Sequence, residues 1–164
     1  MQPGKIEVAN NSGTYVIKLS GDVRLNLCST LEDYLDEMFL DGHFKTVLID
    51  LSDAEGVDST TLGQMAKISI VSQDKFGLIP SIITPNEDIT RILLSMGFDR
   101  VFYLISEMPE KISDLNELTC EQVNEEEMRG KVIAAHEILM GLNDENKNAF
   151  QELVDCLQAK NNRF

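Results

Sequence analysis

Ile49-Asp50-Leu51, continuing through Ser52-Asp53-Ala54-Glu55-Gly56 into Val57-Asp58-Ser59-Thr60-Thr61-Leu62-Gly63, is the stretch on which the fold turns. Thr46 to Leu51 is a nearly continuous apolar run, the pattern expected of a central strand covered on both faces. A short acidic loop follows. The chain then enters a helix at Asp58 or Ser59 that runs toward Phe76, with Leu62, Met65, Ala66 and Ile70 on one stripe and Gly77 as its stop. A phosphate on a serine at such a helix start would meet the positive end of the helix dipole. That favours a switch over a catalytic centre, although Asp and Ser are also ordinary capping residues there.

Upstream, Ile6 to Ala9 reads as a short strand and Asn10-Asn11-Ser12-Gly13 as a turn. Tyr15, Ile17 and Leu19 then alternate with other residues at strand period, so the two runs form a hairpin that ends at Gly21-Asp22. Leu27, Leu31, Tyr34, Leu35, Met38 and Phe39 recur at helical spacing. That helix starts near Asn26 or Ser29, with Ser29 and Glu32 as a capping box, and ends at Asp41-Gly42.

Downstream, Leu78 to Ile83 reads as a strand. Thr84-Pro85-Asn86-Glu87 predicts a helix start with Thr84 as N-cap, carrying Ile89, Ile92, Leu93 and Met96 and closed by Gly97. Val101 to Ile105 is the last strand. The order β-β-α-β-α-β-α-β over the first 108 residues predicts an α/β fold: a mixed, mostly parallel sheet packed with helices, its opening hairpin adding an antiparallel edge. The remainder, 109–164, is expected to be a helical extension. Met108 to Leu118 could hold a short helix, and Thr119 with Gln122 could cap the next, with Leu118 and Val123 as a hydrophobic staple. Met128, Val132, Ala135 and Leu139, then Gly141, Asn143 as a cap, and Phe150, Leu153, Val154 and Leu157, predict an antiparallel αα-hairpin.

Composition excludes several functions. The chain has 164 residues, 43% of them hydrophobic, and a formal net charge of −14. Nucleic acid and anionic membrane surfaces are poor ligands for such a surface. Its three cysteines, Cys28, Cys120 and Cys156, are too widely spaced for a zinc or redox motif and read as thiols in a reducing compartment. There is neither a signal-like opening nor an apolar run long enough for a membrane span, so the expectation is a cytoplasmic protein.

Catalytic signatures are missing as well. The sequence holds no G-x-S-x-G, no phosphate-binding loop of the G-x-x-x-x-G-K type and no G-x-G-x-x-G. His43 and His136 are the two imidazoles, and no motif places either beside Ser59, so both read as surface or packing residues. Glu125-Glu126-Glu127 reads as a solvated helix start. No metal, no cofactor and no enzymatic activity is expected.

The segment Asp50 to Gly63 resembles the signature of the STAS family, an apolar strand and loop followed by D-S-x-x-L-G, and looks most like that of the bacterial anti-sigma factor antagonists. Leu19-Ser20-Gly21-Asp22, Pro80 to Pro85, and Leu94-Ser95-Met96-Gly97-Phe98-Asp99-Arg100-Val101-Phe102 are similar to other family segments. The resemblance covers roughly residues 5 to 108. Thr60 stands where a second serine is common and Thr61 where many members have glycine.

The resemblance implies a binding protein that captures an anti-sigma factor, usually a serine kinase of the histidine-kinase-like ATPase type. It implies phosphorylation at Ser59, with Thr60 as a secondary acceptor, and reversal by a PP2C-type serine phosphatase. Partner contacts are then expected from Gly21, Asp22, Glu55, Asp58, Ser59, Thr60, Thr61 and Leu62. The alternative is a STAS adaptor subunit of a transporter or sensory complex, with Ser59 only a cap.

Overall fold

A computed structural model describes residues 2–24, 29–109, 114–119 and 123–161. The chain opens with strands β1 (Lys5–Asn11) and β2 (Thr14–Val23), paired antiparallel across a Ser12-Gly13 turn. Helix α1 (Ser29–Leu40), strands β3 (Thr46–Asp50) and β4 (Ala54–Val57), helix α2 (Ser59–Phe76) and strand β5 (Ser81–Ile83) follow. Then come α3 (Glu87–Ser95), a 3-10 turn at Phe98–Arg100, β6 (Tyr103–Ile105), β7 (Asn116–Glu117), α4 (Glu125–Met140) and α5 (Asp144–Asn161).

The sheet order is β6-β5-β3-β2-β1-β7, with β4 beside the far end of β2. The links β2 to β3, β3 to β5 and β5 to β6 are parallel, as crossovers through helices require. The mixed α/β architecture and the C-terminal helical hairpin therefore follow the sequence expectation. The opening hairpin is not the sheet's edge, because the two-residue strand β7 covers β1 where the sequence suggested a short helix.

One face of the sheet carries Ile6, Val8, Tyr15, Ile17, Leu19, Val47 and Ile49, which join the inner residues of α1, α2 and α3 in one continuous core. The opposite face mixes half-exposed Glu7, Lys18, Ser20, Thr46 and Leu48 with buried Ala9, Val16 and Asp50. The run Thr46 to Leu51 is thus central, fully covered on one face and partly on the other.

Helix boundaries shift by small, explicable amounts. Asn86, not Thr84, caps α3, its Oδ1 accepting from the amides of Asp88 (2.8 Å) and Ile89 (3.3 Å). Thr84 is buried, and its hydroxyl pairs with that of Thr90 at 2.8 Å instead. Asn124 caps α4, bonding the Glu127 amide at 2.8 Å. The expected Thr119-Gln122 box falls partly outside the described residues, as do Cys28, Cys120 and the first candidate start of α1, Asn26. At the far end of the sheet the Tyr15 hydroxyl donates to Asp41 Oδ2 at 2.6 Å. Burial first, and then this bond, push the Tyr15 hydroxyl up to about 12, and the same bond holds the Asp41 carboxyl below its ordinary value.

Candidate functional site: a capped serine under the C-terminal hairpin

A kink in β2 creates the site. As far as Lys18, β2 pairs with β3; from Gly21 onward it pairs with β4, with a register shift between Gly21 and Asp22. Gly21 sits at φ +72°, and an added Cβ would stand 2.8 Å from the Gln2 carbonyl oxygen, so no other residue fits without strain. Strand β4 then carries the chain from the level of Gly21 to Val57, beside Val23. The Asp58 amide donates to the Val23 carbonyl at 3.1 Å, which fixes the entry into α2.

Asp58 is the N-cap of α2, with extended backbone, and its Oδ1 accepts from the Thr61 amide at 2.8 Å. Ser59 is the first helical residue and is half-exposed. The predicted partner residues separate into two groups at the ends of β4. Gly21, Asp22 and Glu55 lie against the chain start: the Asp22 amide donates to the Gln2 carbonyl and the Gln2 amide to Glu55 Oε2, both at 2.9 Å. Asp22 also pairs with Arg24 at 2.7 Å. Asp58 and Ser59 stand at the helix start, while Thr60, Thr61 and Leu62 are buried in this arrangement. The Thr61 hydroxyl is a buried polar group with no hydrogen-bond partner among the described residues.

The residue that motif reading missed is His136. It lies on α4, is 2% exposed, and its Nε2 stands 2.7 Å from Ser59 Oγ. Its Nδ1 stands 2.7 Å from the Val132 carbonyl oxygen, one turn back on α4. A carbonyl oxygen only accepts, so Nδ1 carries the proton; in the neutral ring Nε2 is then the acceptor and the Ser59 hydroxyl donates to it. Phe150 of α5 packs edge-on against the imidazole at a centroid distance of 4.9 Å. The reading of His136 as a surface or packing residue, with no motif placing it beside Ser59, therefore missed its bond to that serine.

Close approach of α4 to α2 is what brings them together. A Cβ on Gly63 would overlap the Ala135 carbonyl oxygen and stand 2.7 Å from the Ala135 Cα. Gly63 is thus the notch into which α4 settles, and Ala135 and Leu139 are fully buried there. Two small residues one turn beyond the serine and beside the histidine were the available signal, but sequence spacing alone does not say which helix faces which.

A serine hydroxyl donating to an imidazole is also how a nucleophile is activated. Here the ring is oriented by a backbone carbonyl, where a hydrolytic triad would use a carboxylate to stabilise the imidazolium. Among the described residues no group of three or more His, Cys, Asp or Glu could hold a metal ion, and no helix is long and apolar enough to cross a membrane.

A family model described as "Mlab, STAS domain" matches residues 6–106, which span the sheet from β1 to β6. The chain belongs to the STAS-domain family. Within it, a Thermotoga neapolitana protein named "Putative anti-sigma factor antagonist TM1081 homolog" is 26% identical over 102 residues, covering 61% of this chain and 89% of the relative. The crystal structure of TM1081 from Thermotoga maritima superposes with a TM-score of 0.54 at 18% identity, over 63% of this chain and 87% of that one. The Bacillus cell fate determinant SpoIIAA, solved in its phosphorylated form, gives 0.51 at 13% identity, over 62% and 92%. At these identities the structures speak for the STAS fold alone. Helices α4 and α5 lie beyond the residues the family model matches.

Proposed function

We propose that this STAS protein is an anti-sigma factor antagonist whose binding is switched by phosphorylation of Ser59. In this reading residues 1–108 form the STAS domain and 109–164 a helical extension. The observation that carries the reading is the placement of Ser59 as first residue of α2, capped by Asp58 at the end of β4. The name of the Thermotoga relative and the phosphorylated form of SpoIIAA support it.

In the forward step the γ-phosphoryl group of ATP passes to Ser59 Oγ in the active site of a partner kinase. The bond to ADP breaks and the hydroxyl proton leaves to the kinase's base. Hydrolysis by a PP2C-type phosphatase returns the hydroxyl and inorganic phosphate. The phosphate adds roughly −1.5 to −2 charges. The start of α2 offsets part of that by about 0.3–1 kcal/mol, and the Asp58 carboxylate opposes it. The larger effect falls on the partner interface, where a dianion must be desolvated against a surface shaped for a hydroxyl. The partner is an anti-sigma factor of the histidine-kinase-like ATPase type, the site is cytoplasmic, and this chain performs no catalysis of its own.

Binding of purified anti-sigma candidates from the source organism tests the reading. Ser59→Ala should bind at least as well as the unmodified protein and resist phosphorylation. Ser59→Asp should bind at least about tenfold more weakly, or ~1.4 kcal/mol. Equal binding by Ser59→Asp and wild type would overturn it and favour a fixed STAS adaptor, in which the Ser59 hydroxyl serves only its internal bond to His136.

A further inference from the structure

The ground around Ser59 is already occupied by the chain itself. Nε2 of His136 sits 2.7 Å from Oγ, and Ala135 lies in the Gly63 notch one turn along α2. The hairpin is held by an apolar contact in which Ile133, Ala135, Leu139 and Val154 are buried, and by polar ties at its margins. Lys131 of α4 pairs with Glu32 of α1 at 2.7 Å, with side-chain exposures of 15% and 40%. At the other end of α4 the Asn146 amide nitrogen donates to the Met96 carbonyl at 2.9 Å. An open groove of about 420 Å³ runs along one side of this seam, between Gln64 and Lys67 of α2 and Gly130 and Lys131 of α4, so that flank of the contact is not sealed.

We propose that the α4–α5 hairpin is an intramolecular cover of the Ser59 surface, docked where a partner must bind and displaced when one does. The proposal rests on Ser59 being the switch, and it names how that switch is gated. A phosphoryl group replaces the proton now directed at Nε2, so modification removes the donor of the 2.7 Å bond between Oγ and the imidazole. Phosphorylation of Ser59 and this fastening bond therefore exclude one another. The coupling is reciprocal: a docked hairpin opposes modification and partner binding, and modification holds the hairpin off. The unmodified hydroxyl is thereby counted twice, once as the group a partner reads and once as the donor that fastens the cover.

Thiol labelling tests the cover without any kinase or partner. In full-length Ser59→Cys, the rate of maleimide addition is read on the peptide containing residue 59. The same rate is read with Lys131→Glu added, with the Glu32→Lys/Lys131→Glu charge swap, and with Gly63→Ala. The cover predicts slow labelling in the parent, roughly fivefold faster labelling with Lys131→Glu and restored protection in the swap. It predicts at least tenfold faster labelling with Gly63→Ala, whose methyl group has no room against Ala135. Lys131→Glu and the swap leave the core untouched, so they decide the matter if Gly63→Ala fails to fold. Labelling as fast as in a denatured control, and unchanged by Lys131→Glu, would overturn the cover. That outcome would leave the phosphorylation switch standing, just as protection of residue 59 would stand if Ser59 were never phosphorylated.

Discussion

Asp58, Ser59 and Thr61 use one helix turn for three purposes. Asp58 satisfies a free amide at the start of α2, which is worth about 1 kcal/mol for a typical cap. Ser59 spends its proton on His136. Thr61 spends nothing: its hydroxyl is fully buried and unpaired among the described residues, at a position where the family resemblance suggests glycine as the common alternative. A buried hydroxyl with no partner costs about 1–3 kcal/mol. Thr61→Val keeps the side chain's shape and removes that cost, so it should stabilise the protein by about 1 kcal/mol, read as a higher denaturant midpoint at unchanged slope. The capped serine was legible in the sequence, because Asp-Ser before an apolar helical stripe is a local pattern. His136 was not, because the 77 positions separating it from Ser59 are bridged only by helix packing.

At the scale of elements, most periodic segments formed where their spacing predicted, and the misses share a cause. Thr84-Pro85-Asn86-Glu87 predicts Thr84 as the cap, and the tertiary environment overrides that: Thr84 goes into the core, leaving Asn86 to cap α3. Strand β4 was invisible because four residues rich in small and acidic side chains carry no period; the register shift at Gly21 creates its pairing. The αα-hairpin was legible, but its docking was not. Asn146 shows how it is fastened: buried, its amide nitrogen donates to the Met96 carbonyl and to the Leu139 carbonyl near the end of α4, each at 2.9 Å. Asn146→Ala should cost about 1–3 kcal/mol by removing both of those hydrogen bonds. Hydrogen exchange should rise first in α4 and α5 while β2 and β3 stay protected. Equal loss of protection in hairpin and sheet would mean that the two open as one unit.

At the scale of the whole molecule, the chain joins a STAS sheet to a helical hairpin that packs against Ser59 at the start of α2. The acidic balance of −14 disfavours phosphate contacts and is compatible with recognition of a basic protein surface. The STAS fold sets the position of Ser59, and His136 of the hairpin bonds its hydroxyl, so both halves bear on one group. The central claim is that the state of this hydroxyl is the signal. The most direct measurement is intact mass followed by peptide mapping of the full chain purified from its own cells, with and without phosphatase treatment, across growth conditions. The account predicts a phosphatase-sensitive phosphate on the peptide carrying Ser59, in a proportion that changes with condition. A Ser59 peptide that stays unmodified in every condition would contradict it.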